Sequence, residues 1–173
     1  MKKLGQPLNK VLSWLEKELK DVNPEACRLE AELLIAFVLG RERAFIYTVD
    51  YLSEEEIRKL KFFLSLRRKK VPLAYIIGKK YFYDLELIVK RGILVPREET
   101  EILVEVVKST IEKGNIKEIV EVGVGSGNIS ISIARQFENI KIYACDVSPI
   151  ALEVAQKNAK KHGVFNRIQF FLG

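Results

Sequence analysis

The 173-residue sequence predicts an α/β chain in two parts, helical first and alternating between strand and helix afterwards. Apolar residues recur at helical spacing as far as about residue 70. A stretch rich in aromatic and β-branched residues then fills 71–95, and from Gly114 short apolar runs alternate with helical patterns, as in βαβ units around a parallel sheet. These give a helical bundle at 1–70, a β-hairpin linker at 71–95, and the first half of a doubly wound domain at 96–173.

In "LNKVLSWLEKEL" Leu8, Val11, Leu12, Leu15 and Leu19 form one helical stripe. "NPEACRLEAELLIAFVLG" predicts a second helix with Asn23 as N-cap, Pro24 at its first position and Gly40 just past its end. A third opens at Ser53, which has capping-box spacing to Glu56, and continues through Ile57, Leu60, Phe63 and Leu64. It ends in "RRKK", residues 67–70. Four cations there complement the helix dipole or meet an acidic partner, and the sequence leaves both open.

"VPLAYIIGKKYFYDLELIVKRGILVP" predicts the hairpin, with Gly78, Asp84 and Gly92 as turn or bulge points. "PREETEILVEVVKSTIEKG" predicts a helix opening on Pro96, apolar at Ile102, Leu103, Val106, Val107 and Ile111, and closed by Gly114. Glu98, Glu99 and Glu101 suit its N-terminus. Strand "KEIVEV", helix "NISISIARQF", strand "KIYACD", helix "SPIALEVAQKNAKKHG" and strand "RIQFFL" follow. Ligands of such a sheet bind beyond the C-terminal ends of its strands.

Composition excludes several classes. The longest apolar run, residues 33–39, is far short of the roughly 20 residues that span a bilayer. "MKKLGQPLNK" begins basic without an apolar run behind it, so no secretory signal is expected. Cys27, Cys145 and the lone His162 make neither a disulfide framework nor a metal set, and a reducing cytoplasm fits. The net charge of +6 is carried wholly by residues 1–91, with 19 Lys and Arg against 13 Asp and Glu, which points to an acidic protein or RNA as partner. Solvated helix faces are the plain alternative.

"VEVGVGSGNIS", residues 120–130, carries the chemistry. Alternate glycines after a strand let main chain approach a ligand where a Cβ would intrude. No lysine completes a P-loop, and the dinucleotide spacing G-x-G-x-x-G fails because Asn128 stands sixth and the third glycine comes early at Gly127. Glu121, two residues before the first glycine, would repel a diphosphate. It suits a cationic ligand without phosphate, and S-adenosylmethionine is one. Asp146, closing the second strand, can accept from both ribose hydroxyls, although nicotinamide enzymes share an acid there. As a helix cap Ser148, before Pro149, is the better candidate.

The phrases "PLAYIIGKKYFYDLELIVKRGILVPREETEILVE", "VEVGVGSGNISISIA" and "ACDVSPIALEVAQKNAKKHG" closely resemble the HemK/PrmC family of N5-glutamine methyltransferases, which modify class 1 peptide chain release factors. The likeness runs from about Pro72 onward, and a short helical domain before it is also a family trait. It departs at Glu98, where the family usually has Pro. The resemblance implies the first half of a class I (Rossmann-like) S-adenosylmethionine-dependent methyltransferase fold and a helical bundle that recognises the substrate. By it Gly123, Val124, Gly125, Ser126, Gly127 and Asp146 would bind S-adenosylmethionine, with Arg97 and Thr100 near its methionine end, and Glu121 joins them on the charge argument above.

The family's Asn-Pro-Pro-Tyr motif, which holds the substrate amide, is absent, and the sole Asn-Pro pair is Asn23-Pro24. No catalytic residue is therefore assigned, and the chain is expected to be a fragment or truncated product that cannot transfer a methyl group by itself. With strands in the order three-two-one, the glycine-bearing strand is expected at an open edge. Two other readings stand beside release-factor methylation. One is another amino-group methyltransferase, acting on RNA adenine or a ribosomal protein, and the other is a non-catalytic module that binds cofactor or release factor.

Overall fold

The computed structural model describes residues 5–173, so the basic start at residues 1–4 lies outside the described residues. The chain divides into two compact units, Met1–Ile77 and Gly78–Gly173.

In the first unit, a short strand β1 (Gly5–Pro7) leads into α1 (Leu8–Leu19), followed by α2 (Cys27–Leu39), a 3-10 turn (Arg43–Thr48), β2 (Tyr51–Ser53), α3 (Glu54–Arg68) and α4 (Leu73–Ile77). The stripe of α1 is buried as its spacing predicts, and it packs with Ala31, Leu34 and Ile35 of α2 and with Ile57, Leu60 and Leu64 of α3. Pro7 offers α1 no side-chain cap, but the Leu8 N–H donates to the Asp50 carbonyl at 2.9 Å as β1 and β2 pair. Neither of those strands is visible in the sequence pattern, because three residues are too few to show alternation. The capping box of Ser53 and Glu56 is formed, and Gly40 ends α2 in left-handed conformation at φ +62°.

Asn23 is not the N-cap of α2. That helix starts at Cys27 after Ala26, and the Asn23 side-chain amide instead donates to Glu30 at 2.9 Å. Glu30 takes Arg67 of α3 in a two-pronged pair, Nε and Nη2 each 2.8 Å from a carboxylate oxygen, while Nη1 reaches the Val71 carbonyl at 2.5 Å. Both residues are buried. The "RRKK" segment is therefore not a uniform exposed face: Arg67 is an interior strut, Arg68 pairs with Glu18, and Lys69 and Lys70 are exposed. Removing one member of a buried pair leaves an unpaired charge in the interior.

In the second unit, β3 (Lys79–Phe82) and β4 (Leu85–Ile88) form the hairpin, α5 spans Thr100–Lys113, and β5 (Glu118–Val122), α6 (Asn128–Gln136), β6 (Lys141–Asp146), α7 (Pro149–Lys161) and β7 (Ile168–Leu172) complete it. The hairpin is shorter than its aromatic stretch, since Leu73–Ile77 is helical and Tyr83 turns the chain at φ +52°. Phe82, Leu85 and Leu87 join the core formed by the sheet, α6 and α7, so the hairpin is part of this unit.

The sheet is parallel in the order β5-β6-β7, which puts β5 at an edge. Ile142, Ala144 and Ile168 on one face are buried. On the other face Val120, Val122 and Phe171 are exposed. α5 begins at Thr100 rather than Pro96, and it buries Val104 and Ile111 while Ile102, Leu103 and Val106 face solvent.

Arg67→Ala is expected to destabilise the first unit by about 3–5 kcal/mol, whereas Lys69→Ala should stay within about 0.5 kcal/mol. The sole tryptophan, Trp14, packs against this core, so its fluorescence in urea reads the first unit alone. Equal midpoints for the two variants would remove the strut.

Candidate functional site

The site is built where β5 turns into α6. Gly123, Gly125 and Gly127 have φ of +78°, +55° and +85°, a left-handed backbone that side chains rarely adopt. A Cβ at Gly127 would lie 2.8 Å from Ile131 Cδ1 and 3.3 Å from Ala155 Cβ, so that glycine is also required by close helix packing. At Gly123 a Cβ would meet nothing within 4 Å, which leaves conformation as its constraint.

β6 clamps this loop from the side. The Cys145 carbonyl accepts both the Gly123 N–H at 2.8 Å and the Val124 N–H at 3.0 Å. Asp146 follows with one carboxylate oxygen on the Gly125 N–H at 3.0 Å and the other on the Ser148 N–H at 2.9 Å. Ser148 is the N-cap of α7, as its place before Pro149 predicts. Asp146 is thus a loop clamp, and each of its oxygens keeps acceptor capacity for a further donor.

Glu121 has a role the sequence does not reveal. Gly127, the N-cap of α6, has no side chain with which to bond the first turn. Glu121 does this from the preceding strand: its Oε2 accepts the Ser130 N–H at 3.0 Å and also the Ser130 hydroxyl. Burial pushes its carboxyl up to about 7, the Ser130 bonds oppose that, and the charge of Asp146 adds to it. A cation beside Glu121 would restore its ionised form, whereas an anion would meet two carboxylates.

The structure therefore brings Glu121, Gly123–Gly127 and Asp146 together. The side chains of Val124 and Ser126 are buried, so these two offer a ligand their backbone only. Arg97 is exposed and Thr100 half-buried at the start of α5, and no hydrogen bond among the described residues ties either to the loop. Sequence reasoning missed Ser130 and Asn158. Asn158 stands on α7 at a core position among Ala151, Leu152, Ala155 and Ala159, and a polar residue inside an apolar stripe is the signal that could have found it. Among the described residues no cluster of His, Cys, Asp or Glu is arranged to hold a metal, and no helix is long and apolar enough to cross a membrane.

A strand, a left-handed glycine loop, a helix, and an acid closing the neighbouring parallel strand define a partial Rossmann-like methyltransferase domain. Residues 119–173 match the family model described as methyltransferase domain, and residues 10–78 match the PrmC N-terminal domain. The chain is similar to the HemK/PrmC family in its first unit and to methyltransferase domains in its second. It is 61% identical over 170 residues to the release factor glutamine methyltransferase of Dictyoglomus turgidum, covering 98% of this chain and 60% of that protein. The proteins of the same name from Buchnera aphidicola and Clostridium acetobutylicum are 40% and 36% identical, over 91% and 87% of this chain and 58% and 54% of their own lengths. The chain thus spans little more than half the length of these relatives.

The Glu121 carboxyl makes stability depend on pH in a stated direction. Between about 4.5 and about 7 the folded chain holds a proton that the unfolded chain releases, so this group lowers stability as pH rises through that window. Glu121→Gln should remove that loss. Calorimetric melting from pH 4 to 8 should show the variant gaining on the parent as pH rises, by at most about 3 kcal/mol. A gap that does not change with pH would refute the assignment.

Proposed function

We propose that the chain is the substrate-recognising and cofactor-binding part of an S-adenosylmethionine-dependent methyltransferase that acts on the glutamine amide nitrogen of class 1 peptide chain release factors. The observation that carries this reading is the glycine loop clamped by Asp146 with the Glu121 carboxyl behind it. Such a site favours a cationic ligand with vicinal hydroxyls and opposes a diphosphate. The names of the relatives supply the substrate.

When bound, S-adenosylmethionine supplies a methyl group activated by its sulfonium. The chain's own residues bind and orient. Gly123, Gly125 and Gly127 allow backbone approach, Asp146 accepts the ribose hydroxyls with its remaining lone pairs, and Glu121 supplies the countercharge. Binding then draws the Glu121 proton off, so cofactor uptake below about pH 7 releases a proton. Arg97 and Thr100 serve the methionine end. The helical unit meets the release factor.

No residue here is assigned to catalysis. An amide nitrogen is a poor nucleophile because its lone pair is delocalised, and its alignment needs acceptors for its N–H groups. The sole Asn-Pro pair, Asn23-Pro24, belongs to the helical unit, where Asn23 already bonds Glu30. The 173 residues by themselves are therefore proposed to bind cofactor without turnover.

Asp146→Ala should weaken S-adenosylhomocysteine binding by about 1.5–3 kcal/mol, the usual range for hydrogen bonds to a charged group. Gly125→Val should weaken it as well, because it places a branched side chain at φ +55° in the approach path. Isothermal titration of the parent and both variants checks the site, and unchanged affinities would remove it.

Incubated with labelled S-adenosylmethionine and a release factor, the 173-residue chain should leave the glutamine unmodified. Stoichiometric methylation, read by mass spectrometry of the glutamine peptide, would show that acceptor groups for the amide lie among residues with no such role here.

A further inference from the structure

Asn158 is completely buried in α7, and all its side-chain bonds run to backbone of two other elements. Its Oδ1 accepts the Ile88 N–H at 2.7 Å, and its Nδ2 donates to the Ile88 carbonyl at 3.0 Å and to the Ser126 carbonyl at 2.8 Å. Ile88 ends β4, and Ser126 lies inside the glycine loop. One carboxamide thus holds both backbone groups of the hairpin's last residue and a peptide of the loop. The next residue, Val89, donates its N–H to the Gly78 carbonyl at 3.0 Å, and Gly78 is the first residue of the second unit. A continuous set of hydrogen bonds therefore runs from the glycine loop through Asn158 to the residue at which the helical unit gives way to the second.

We propose that Asn158 is a positioning residue that couples the glycine loop to the base of the hairpin, so that a ligand in the loop stiffens the junction at Gly78. The coupling rests on the cofactor reading for its ligand, whereas the latch itself does not. Its physical basis is geometric. A peptide carbonyl in a left-handed loop has few orientations, and a buried amide donor at 2.8 Å selects one of them. Moving Ser126 shifts the Asn158 amide, which cannot rotate without breaking two bonds to Ile88. Ligands that order the loop then order the hairpin end, and by reciprocity a held hairpin favours the ligand.

The test is amide hydrogen exchange on the whole chain, free and with S-adenosylhomocysteine, for the parent, Asn158→Ala, and Leu152→Ala. Leu152 lies in the same helix and core but bonds neither loop nor hairpin, so it controls for lost stability. Without ligand, Asn158→Ala should speed exchange at Val89 and Gly127 at least tenfold beyond the control. With ligand, the parent should show exchange at Val89 slowed at least threefold, and Asn158→Ala should lose that slowing while its loop amides are still protected. If the parent's loop is protected and its Val89 is unaffected, the coupling is overturned without reference to any variant. If Val89 and Gly127 behave alike in Asn158→Ala and Leu152→Ala, the latch is overturned. A parent that binds no S-adenosylhomocysteine removes the cofactor reading and the transmission with it, and the ligand-free comparison then decides the latch separately.

Discussion

Between Val122 and Asn128 the backbone leaves a strand and enters a helix through three left-handed residues, and the rest of the second unit is arranged around that reversal. Such a backbone costs an L side chain roughly 1–2 kcal/mol per residue, which glycine avoids. Glycine then brings two further problems. It leaves the loop amides in need of partners, and it leaves α6 without a capping side chain. The first is met by β6, whose Cys145 carbonyl and Asp146 carboxylate take three successive amides of the loop other than Ser126. The second is met by Glu121, which reaches the third residue of α6 from the strand before the loop. Both acids of the site thus have a structural task before any ligand is considered, and a ligand would share them with the loop.

α7 forms the wall behind this reversal. Ala155 is small where Gly127 passes, since a Cβ on that glycine would come within 3.3 Å of it. Ala151 and Val154 bury Ile93 of the segment after the hairpin, and Asn158 fastens the hairpin and the loop together. The helix therefore carries its functional information in what it leaves out, two alanines, as much as in its one buried amide. Electrostatics on its outer side are plainer. Glu86 of the hairpin is held down at about 2 by its bonds to Lys161 and Lys79, so it is ionised and paired through the neutral range.

How much of this was legible follows from the range of each interaction. The apolar stripe of α1, the Ser53 capping box and the alternation after Gly114 rest on neighbours a few residues apart, and spacing reads such contacts directly. The glycine loop and Asp146 were legible because left-handed backbone selects glycine and the end of a parallel strand selects the site. Asn23 was misread because its side chain serves Glu30, seven residues on, instead of its own helix. Arg67 was misread for the same kind of reason: its partner lies 37 residues back, and nothing in "RRKK" separates one buried arginine from three exposed cations. Glu121 was read as a countercharge for a ligand, yet its bond to Ser130 is what fixes its position. Asn158 acts over 70 residues to Ile88 and 32 to Ser126, a distance at which only its misfit in an apolar stripe remains as a trace.

The sheet adds a last constraint, set by its two unequal faces. Ile119, Glu121, Ile142, Ala144 and Asp146 share the face covered by α6 and α7, so the side-chain bonds of Glu121 and Asp146 lie on that side, while the Cys145 carbonyl takes two loop amides from the main chain of β6. The opposite face carries Val120 at 68% and Val122 at 82% exposure, with Tyr143 stacked on Phe171. At the edge, β5 has a strand partner on one side only among the described residues. Exposed β-branched residues beside an unpaired strand edge are what another strand or apolar surface pairs with. Covering them would add stability in proportion to the apolar area removed from water. It would not touch Glu121, Asp146 and Asn158, whose side chains bond the loop and the start of α6 from the other face. The face that carries the core thus also carries the side chains that bond the loop, and burial of the opposite face would add to a stability already set there.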